Sequence, residues 1–313
     1  MPARSDINHF KMGIYMNKKR LGLCALSLCA AALSQHSIAG EDLFGYLKGA
    51  EALPEGASEL YQKVTVRDGK SVGSYQGIDF ETEYEYGVSN KFSSSVSAKF
   101  MSLDTDGLSV DGYLPGAKDI GFKASGAELG MAYMFLSPAK DDLGLQASLS
   151  LDYDWIDKHS GYDKDTLSLE LGLQTQKYFM EGELVWLGNM AVETTYADRA
   201  PIDNLPEDFD WPTDPEMEIE LKFGTGLSYR FAPNWFVSAE VLYETEFETE
   251  VGQERWSWFA GPSLHYGSAN WWATLTWLPQ LAGGGEQFDG QDTDLHLIEK
   301  TEQEWRFKIA YNF

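Results

Sequence analysis

Acidic side chains recur at every second position in several segments of this 313-residue sequence. Within residues 78–88, Asp79, Glu81, Glu83 and Glu85 alternate with apolar and aromatic residues. Carboxylates that line the wall of a confined space attract cations and repel anions. Rings of Asp and Glu give membrane pores a preference for cations. The chemistry that this spacing indicates is therefore selection of solutes by charge.

The same alternation predicts which other charged side chains share the polar face. Successive side chains of a strand point to opposite sides, so residues two apart lie on one wall. We predict a lumen whose lining and ion selectivity are set by Asp79, Glu81, Glu83, Glu85, Asp152, Glu170, Glu218, Glu220, Glu240, Glu244, Arg230 and Arg306. The alternative is that long charged side chains pair with one another and fill this lumen.

Patterns for catalysis and metal binding are weak. Ser263 and His265 both fall on the predicted polar face, and a Ser–His pair at a membrane interface could hydrolyse lipid esters. The sequence has no G-x-S-x-G elbow, and the acidic stretches 104–107 and 289–294 lack EF-hand spacing. We therefore expect no enzyme activity, no cofactor and no metal, and keep an outer-membrane lipid hydrolase as the least favoured alternative.

The elements that position these residues are predicted to be β-strands. About twelve segments between residues 59 and 313 alternate apolar and polar residues over the length of a tilted barrel strand. Long connections are predicted at 104–122, at 197–215 and from Gly283 to about Leu295. A soluble β-sandwich would have shorter strands and no aromatic residues at both strand ends. The predicted fold is all-β, a transmembrane antiparallel up-and-down β-barrel of about twelve strands.

The C-terminal strand carries the most specific pattern. Every second residue from position 305 to the last is large and apolar, namely Trp305, Phe307, Ile309, Tyr311 and Phe313. This ending resembles the closing strand of Gram-negative outer-membrane β-barrels, in which the alternating aromatics and the terminal Phe are read by the barrel-insertion machinery. The resemblance is to small porins and uncharacterised barrels, and it covers nearly all of residues 60–313. It implies an outer-membrane location, with membrane lipid and the barrel-assembly machinery as partners and short turns on the periplasmic side.

The N-terminus has the features of an export signal. Residues 16–20 include Lys18, Lys19 and Arg20, residues 21–33 form an apolar run, and the stretch 37–39 supplies the small residues of a cleavage site. We therefore predict three parts: an upstream extension with a cleavable signal peptide over 1–39, a periplasmic or lumenal lead-in over 40–58, and the transmembrane barrel over 59–313.

Charge and hydropathy exclude other classes of protein. A net charge of −25 argues against a nucleic-acid partner, because phosphate binding needs clustered Lys and Arg. No apolar run after residue 40 approaches the roughly 20 residues of a spanning helix. The sequence therefore favours a narrow passive channel for cations or small neutral polar solutes. The alternative is a non-conducting barrel with a structural or surface-interaction role.

Overall fold

A computed structural model of the chain describes residues 42–70, 72–109, 114–203, 211–248 and 252–313. The predicted signal peptide over residues 1–39 lies outside these ranges. The strands are β1 (Ser58–Asp68), β2 (Val72–Ser89), β3 (Phe92–Ser109), β4 (Lys118–Leu136), β5 (Gly144–Ile156), β6 (Asp163–Phe179), β7 (Leu184–Arg199), β8 (Glu216–Ala232), β9 (Trp235–Glu248), β10 (Gly252–Gly267), β11 (Trp271–Gly285) and β12 (Gln303–Asn312). One 3-10 turn, Met180–Gly182, separates β6 from β7.

The strands form a single closed antiparallel barrel. Each strand pairs with its neighbours in sequence, and β1 closes the ring by pairing with β12. At the closure, Leu60 pairs with Tyr311 and Val64 with Phe307, so the apolar sides of both strands share one face. Closure leaves no unpaired sheet edge, which a barrel in lipid requires. The predicted all-β, up-and-down barrel is confirmed.

The outer surface is apolar and ends in aromatic residues at both ends of the barrel. Leu129 and Phe231 are about half exposed, at 55% and 53%. At the end where β1 begins and β12 ends, the rings of Trp235 and Tyr266 pack against each other with centroids 4.9 Å apart. At the opposite end Tyr243 and Trp258 do the same at 4.7 Å. An apolar band between two aromatic girdles is the surface of an outer-membrane barrel. The protein resides in the bacterial outer membrane.

Among the residues described, no helix is long and apolar enough to cross a membrane. We call the end where β1 begins and β12 ends the turn end, because the connections after even-numbered strands there are short. The opposite end, which carries the connections after odd-numbered strands, is the loop end.

Two predicted loops are wrong in extent. Most of the loop predicted over 104–122 is strand, because β3 runs to Ser109 and β4 begins at Lys118. There Asp104 pairs with Gln76 and Asp106 with Ser74. These strands project beyond the apolar band, so their outer face meets water and loses the apolar–polar alternation on which the prediction depended.

The last connection also differs from its prediction. β11 continues through Gly285, and β12 begins at Gln303 rather than near Leu295. The last loop, residues 286–302, instead packs parts of itself inside the barrel, where Leu297 and Ile298 are buried. These positions are apolar because the side chains are buried against protein inside the barrel, and not because they belong to a strand.

Candidate lumen site

The lead-in, described over residues 42–57, runs inside the barrel. Phe44 and Leu47 are buried against inward side chains of four strands, including Leu187, Leu242 and Leu278. Gly226 of β8 makes room for this packing, since a Cβ there would meet Phe44 Cε1 at 2.6 Å and Leu47 Cδ1 at 2.8 Å. The sequence left open whether this segment lies in the periplasm or in the lumen. In the structure, it lies in the lumen.

Glu240 holds the lead-in through its backbone. Its carboxylate accepts hydrogen bonds from the amides of Gly45, Tyr46 and Leu47 at 2.7, 3.0 and 3.1 Å. It also accepts one from the Ser263 hydroxyl at 3.3 Å. An ionised carboxylate that accepts several N–H groups satisfies donors that would otherwise be buried without partners. Glu240, predicted as a lumen-lining selectivity residue, is therefore covered by the lead-in and faces no open water.

The closing strand adds further contacts to the lead-in. Arg306 places its guanidinium 3.5 Å from the centroid of the Tyr46 ring and donates to the Gly45 carbonyl at 3.3 Å. Lys308 forms an ion pair of 2.8 Å with Asp42. Arg306, also a predicted lumen residue, thus binds the lead-in from the side opposite Gly226.

Most of the other predicted lumen acids lie in ion pairs. Asp79 pairs with Arg67 at 2.7 Å, and Glu81 pairs with Lys63 at 2.5 Å. The remaining contacts join Asp152 to Lys99, Glu170 and Glu220 to Lys222, Glu220 and Glu244 to Lys300, and Arg230 to Glu183. The Arg230 pair is 3.8 Å long and lies at the turn end, away from the rest. The lumen therefore contains chains of paired charges, as the alternative interpretation of the sequence expected.

Three predicted acids have no such contact. Within the parts of the chain that the structure describes, Glu83, Glu85 and Glu218 have no basic side chain within salt-bridge distance. Glu83 and Glu85 face Tyr61 and Glu59 of β1 across the β1–β2 pair. Glu218 lies opposite Glu248 of β9. A role of these residues in ion selectivity stays a prediction.

The two halves of the inner wall differ in accessibility. Under the lead-in, on β8–β11, inward side chains such as Ser228, Thr274 and Thr276 are completely buried. On β2–β6, inward residues remain partly accessible to solvent, among them Glu83, Ser95, Glu128, Ser150, Asp154 and Glu170. Small Ser and Gly residues separate the carboxylates here; Gly130, for example, lies beside Ser95. Glu218, Glu220 and Glu244 are also partly accessible, near the loop end of β8 and β9. The accessible part of the lumen therefore carries these three carboxylates together with those of β2, β4, β5 and β6.

The last loop crosses the loop end of the barrel. From the β1–β2 connection, the buried Lys70 ammonium donates hydrogen bonds to the Ile298 and Lys300 carbonyls. The Lys300 ammonium reaches Glu220 of β8 at 3.3 Å and Glu244 of β9 at 2.6 Å. Since β8 and β9 lie nearly opposite β1 in the ring, the segment around 298–300 spans the interior.

Two histidines in the loops at this end are held neutral. Burial and the positive charges of Lys70 and Arg67 lower the pKa of His159 well below its usual range. Burial and the Arg255 guanidinium lower the pKa of His296 to about 3. The His296 Nε2 atom accepts a hydrogen bond from the Glu299 amide at 3.3 Å, which requires the unprotonated nitrogen. The hydrogen bond that His296 accepts within the last loop therefore depends on a neutral imidazole.

The Ser–His pair considered from the sequence has other partners. His265 Nδ1 lies 2.7 Å from the Thr274 hydroxyl, and the ring is completely buried between Phe236 and Trp272. The Ser263 hydroxyl hydrogen-bonds to Thr276 and Glu240. Both side chains are buried inside the barrel, beneath the lead-in, and are not on the surface that faces lipid. Across the described residues, no group of three or more His, Cys, Asp or Glu side chains could hold a metal ion.

Sequence comparison identifies the family. Residues 36–313 match DUF6662, a family of unknown function. The chain belongs to this family. None of the curated proteins matches the sequence of this family member.

Solved structures show the same fold at low identity. The COG4313 outer-membrane channel from Pseudomonas putida F1 is 10% identical with a TM-score of 0.55, and the match covers 84% of this chain and 98% of that one. The translocator domain of the autotransporter NalP from Neisseria meningitidis is 10% identical with a TM-score of 0.50, over 94% and 96% of the two chains. At such identity the likeness shows a common barrel fold and nothing about the solute.

Sequence reasoning missed three residues of this site. Lys48 and Lys300 lie outside the strands, so the period-2 pattern gave them no place in the lumen. Arg255 pairs with Glu246, Glu254 and Glu299. Glu299 belongs to the last loop, and nothing in the sequence pattern predicts that this loop enters the lumen. The one available signal was the presence of large apolar residues such as Phe44 and Leu47 in the lead-in.

Proposed function

We propose that this protein is a passive outer-membrane channel for cations or small neutral polar solutes. The observation that carries this proposal is the unequal inner wall, in which the lead-in buries the turn-end part of β8–β11 and leaves the carboxylates on β2–β6, with those at the loop end of β8 and β9, partly accessible. Solutes would pass along that accessible side.

Electrostatics favours cations on this path. Carboxylates in a narrow space with low-dielectric walls raise the local concentration of cations and exclude anions. Glu83 and Glu85 are the best candidates for selectivity, because no basic side chain of the described ranges neutralises them by contact. Glu81, by comparison, is compensated by Lys63 at 2.5 Å. Small neutral polar solutes carry no charge to be excluded, and they would pass where hydrated cations pass.

A non-conducting barrel is the second candidate. The lead-in and the last loop both occupy the interior, and most inward charges are paired. A barrel filled in this way could serve as a scaffold in the membrane without passing solute.

Single-channel recording distinguishes the two. The mature protein is refolded, inserted into a planar lipid bilayer and recorded with a KCl gradient across it. A channel gives discrete current steps and a reversal potential on the cation side. The double variant Glu83→Gln with Glu85→Gln should then move the reversal potential towards zero. Glu181→Gln, which removes the same kind of charge from an exposed position at the turn end, should leave it unchanged.

Two results would contradict the channel. Silence from protein that is correctly folded, judged by heat-modifiable migration on gels, would favour the non-conducting barrel. Discrete steps that favour anions would keep a channel but reject the role of the carboxylates.

A further inference from the structure

Lys48 is the basic residue of the lead-in that lies on the accessible side of the lumen. Its neighbours Leu47 and Ala50 are buried, whereas its own side chain is exposed. The Lys48 ammonium interacts electrostatically with the carboxylates of Glu128, Glu83 and Glu170, which belong to three different strands of the acidic wall. The side chain therefore lies in the field of the residues that would attract a permeating cation.

The backbone of Lys48 is fixed on both sides. Asn189 of β7 accepts a hydrogen bond from the Lys48 amide at 2.7 Å and donates one to the Lys48 carbonyl at 2.9 Å. Two residues on, the Ala50 amide donates to Gln176 of β6 at 2.8 Å. A single Asn side chain that satisfies both backbone groups of one residue holds that residue in register with the wall. The backbone from which the Lys48 side chain extends is thus fixed relative to β6 and β7.

The ammonium of Lys48 differs from the other lumen cations in its contacts. Lys63 lies 2.5 Å from Glu81, Lys222 lies 2.7 Å from Glu193, and Lys300 lies 2.6 Å from Glu244. Across the part of the chain that is described, no carboxylate lies within salt-bridge distance of Lys48. The other lysines are compensated by direct contact, whereas the Lys48 charge acts at longer range on carboxylates of three strands.

We propose that Lys48 is a specificity-determining residue of the channel, a tethered cation that limits the cation preference of the acidic wall. This inference rests on the proposed channel function. The ammonium compensates part of the carboxylate charge and repels permeating cations at the point where the lead-in narrows the lumen. Removing it should therefore make the channel more cation-selective, and reversing it should do so further.

The test is the reversal potential of Lys48→Gln and Lys48→Glu in a KCl gradient. One unit charge a few ångströms from the path changes the local electrostatic energy of an ion, so the K⁺-to-Cl⁻ permeability ratio should rise roughly threefold to tenfold in K48Q. The rise should be larger in K48E. Lys91→Gln is the matched control, because Lys91 is an exposed lysine in the β2–β3 turn at the turn end.

Restoring the charge chemically provides a second readout. In K48C, a methanethiosulfonate reagent with a trimethylammonium group forms a mixed disulfide with the thiol and releases sulfinate. This adds a positive charge at the same place, and the reversal potential should return towards that of the wild type. When each rate is divided by the rate of the same reagent with a small free thiol, the cationic reagent should also react about tenfold faster than an anionic methanethiosulfonate, because the carboxylates concentrate it.

The outcomes separate the two proposals. A conducting wild type with K48Q and K91Q at the same reversal potential, or equal reaction rates of the two reagents with K48C, overturns the role of Lys48 and leaves the channel in place. A silent, folded wild type overturns the channel and this inference together.

Discussion

The Glu240 carboxylate lies 2.7 Å from the backbone nitrogen of Gly45, and the two residues are 195 positions apart in the sequence. This contact joins the lead-in to the inner wall of β9. A side chain on a rigid strand thereby fixes a segment that has no secondary structure of its own. Two further amides of the lead-in donate to the same carboxylate, so one acidic residue supplies most of the polar anchoring at this point.

Replacing Glu240 should release the lead-in. In Glu240→Gln, an amide NH2 group takes the place of one acceptor oxygen and opposes the backbone N–H groups. Each buried amide left unpaired costs about 1–3 kcal/mol. Trypsin should therefore cleave after Lys48 much faster in the folded, detergent-solubilised variant than in the wild type. Glu181→Gln, at an exposed site, should cleave like the wild type. Unchanged cleavage of E240Q would mean that apolar packing alone holds the segment.

Filling the space at Gly226 should disturb the same segment from its apolar side. A Cβ at this position would approach Phe44 and Leu47 to less than 3 Å, so Gly226→Val forces both side chains to move. Overpacking of this kind costs about 1–3 kcal/mol. Hydrogen exchange of residues 43–50 should become faster. Gly121→Val is the control, because nothing lies within 4 Å of a Cβ there. Equal exchange in both variants would show that the lead-in shifts without loosening.

The last loop should loosen as the pH falls. The pKa of His296 is lowered to about 3 in the closed loop by burial and Arg255, and the ordinary pKa of about 6.5 returns when the loop opens. Lys70 and Lys300 also lower this pKa, whereas Glu299 opposes them. Between pH 6.5 and 3 the open loop binds a proton that the closed loop does not. The free energy that favours the closed last loop therefore falls by up to about 1.4 kcal/mol for each pH unit lost in this window, and it is constant above the window.

Hydrogen exchange of residues 286–302, corrected for intrinsic rates, measures this effect. Protection at pH 5 should be lower than at pH 7.5. His296→Gln should reduce the difference, and the double variant with His159→Gln should reduce it further, because the pKa of His159 is also lowered. An unchanged pH dependence in the double variant would assign the effect to carboxylates instead.

The sequence predicted the wall of the barrel better than its contents. Lipid on one side and water on the other impose a period of two, and that pattern identified every strand. Where β2 and β3 rise beyond the apolar band, both faces meet polar surroundings and the pattern fails, so residues 104–109 were assigned to a loop. The contents of the lumen follow no such periodicity, because each contact depends on where a segment folds back.

The candidate site shows the same division. The period of two places Glu81, Glu83 and Glu240 on one wall without distinguishing them. In the structure, Glu81 is in an ion pair, Glu240 lies beneath the lead-in, and only Glu83 remains on the accessible side without a basic contact among the residues described. The pairing of Glu81 with Lys63 follows from the register of neighbouring strands. The contact of Glu240 requires knowledge of the path of a segment almost 200 residues away, for which local sequence contains no signal.

The terminal Phe313 should matter for assembly in the cell and not for the stability of the folded barrel. Its side chain is 69% exposed on the outer surface, and the ordered contact of this residue with β1 is a backbone hydrogen bond to Ser58 of 2.9 Å. Phe313→Ser keeps that bond, so stability in detergent should change by no more than about 0.5 kcal/mol. If the alternating C-terminal aromatics are the insertion signal, the amount of heat-modifiable barrel in the outer membrane should fall several-fold. Phe122→Ser is the control, because Phe122 is similarly exposed at 61% but lies far from the C-terminus. Normal assembly of F313S, or a failure of F313S to refold in detergent, would each contradict a role as an insertion signal.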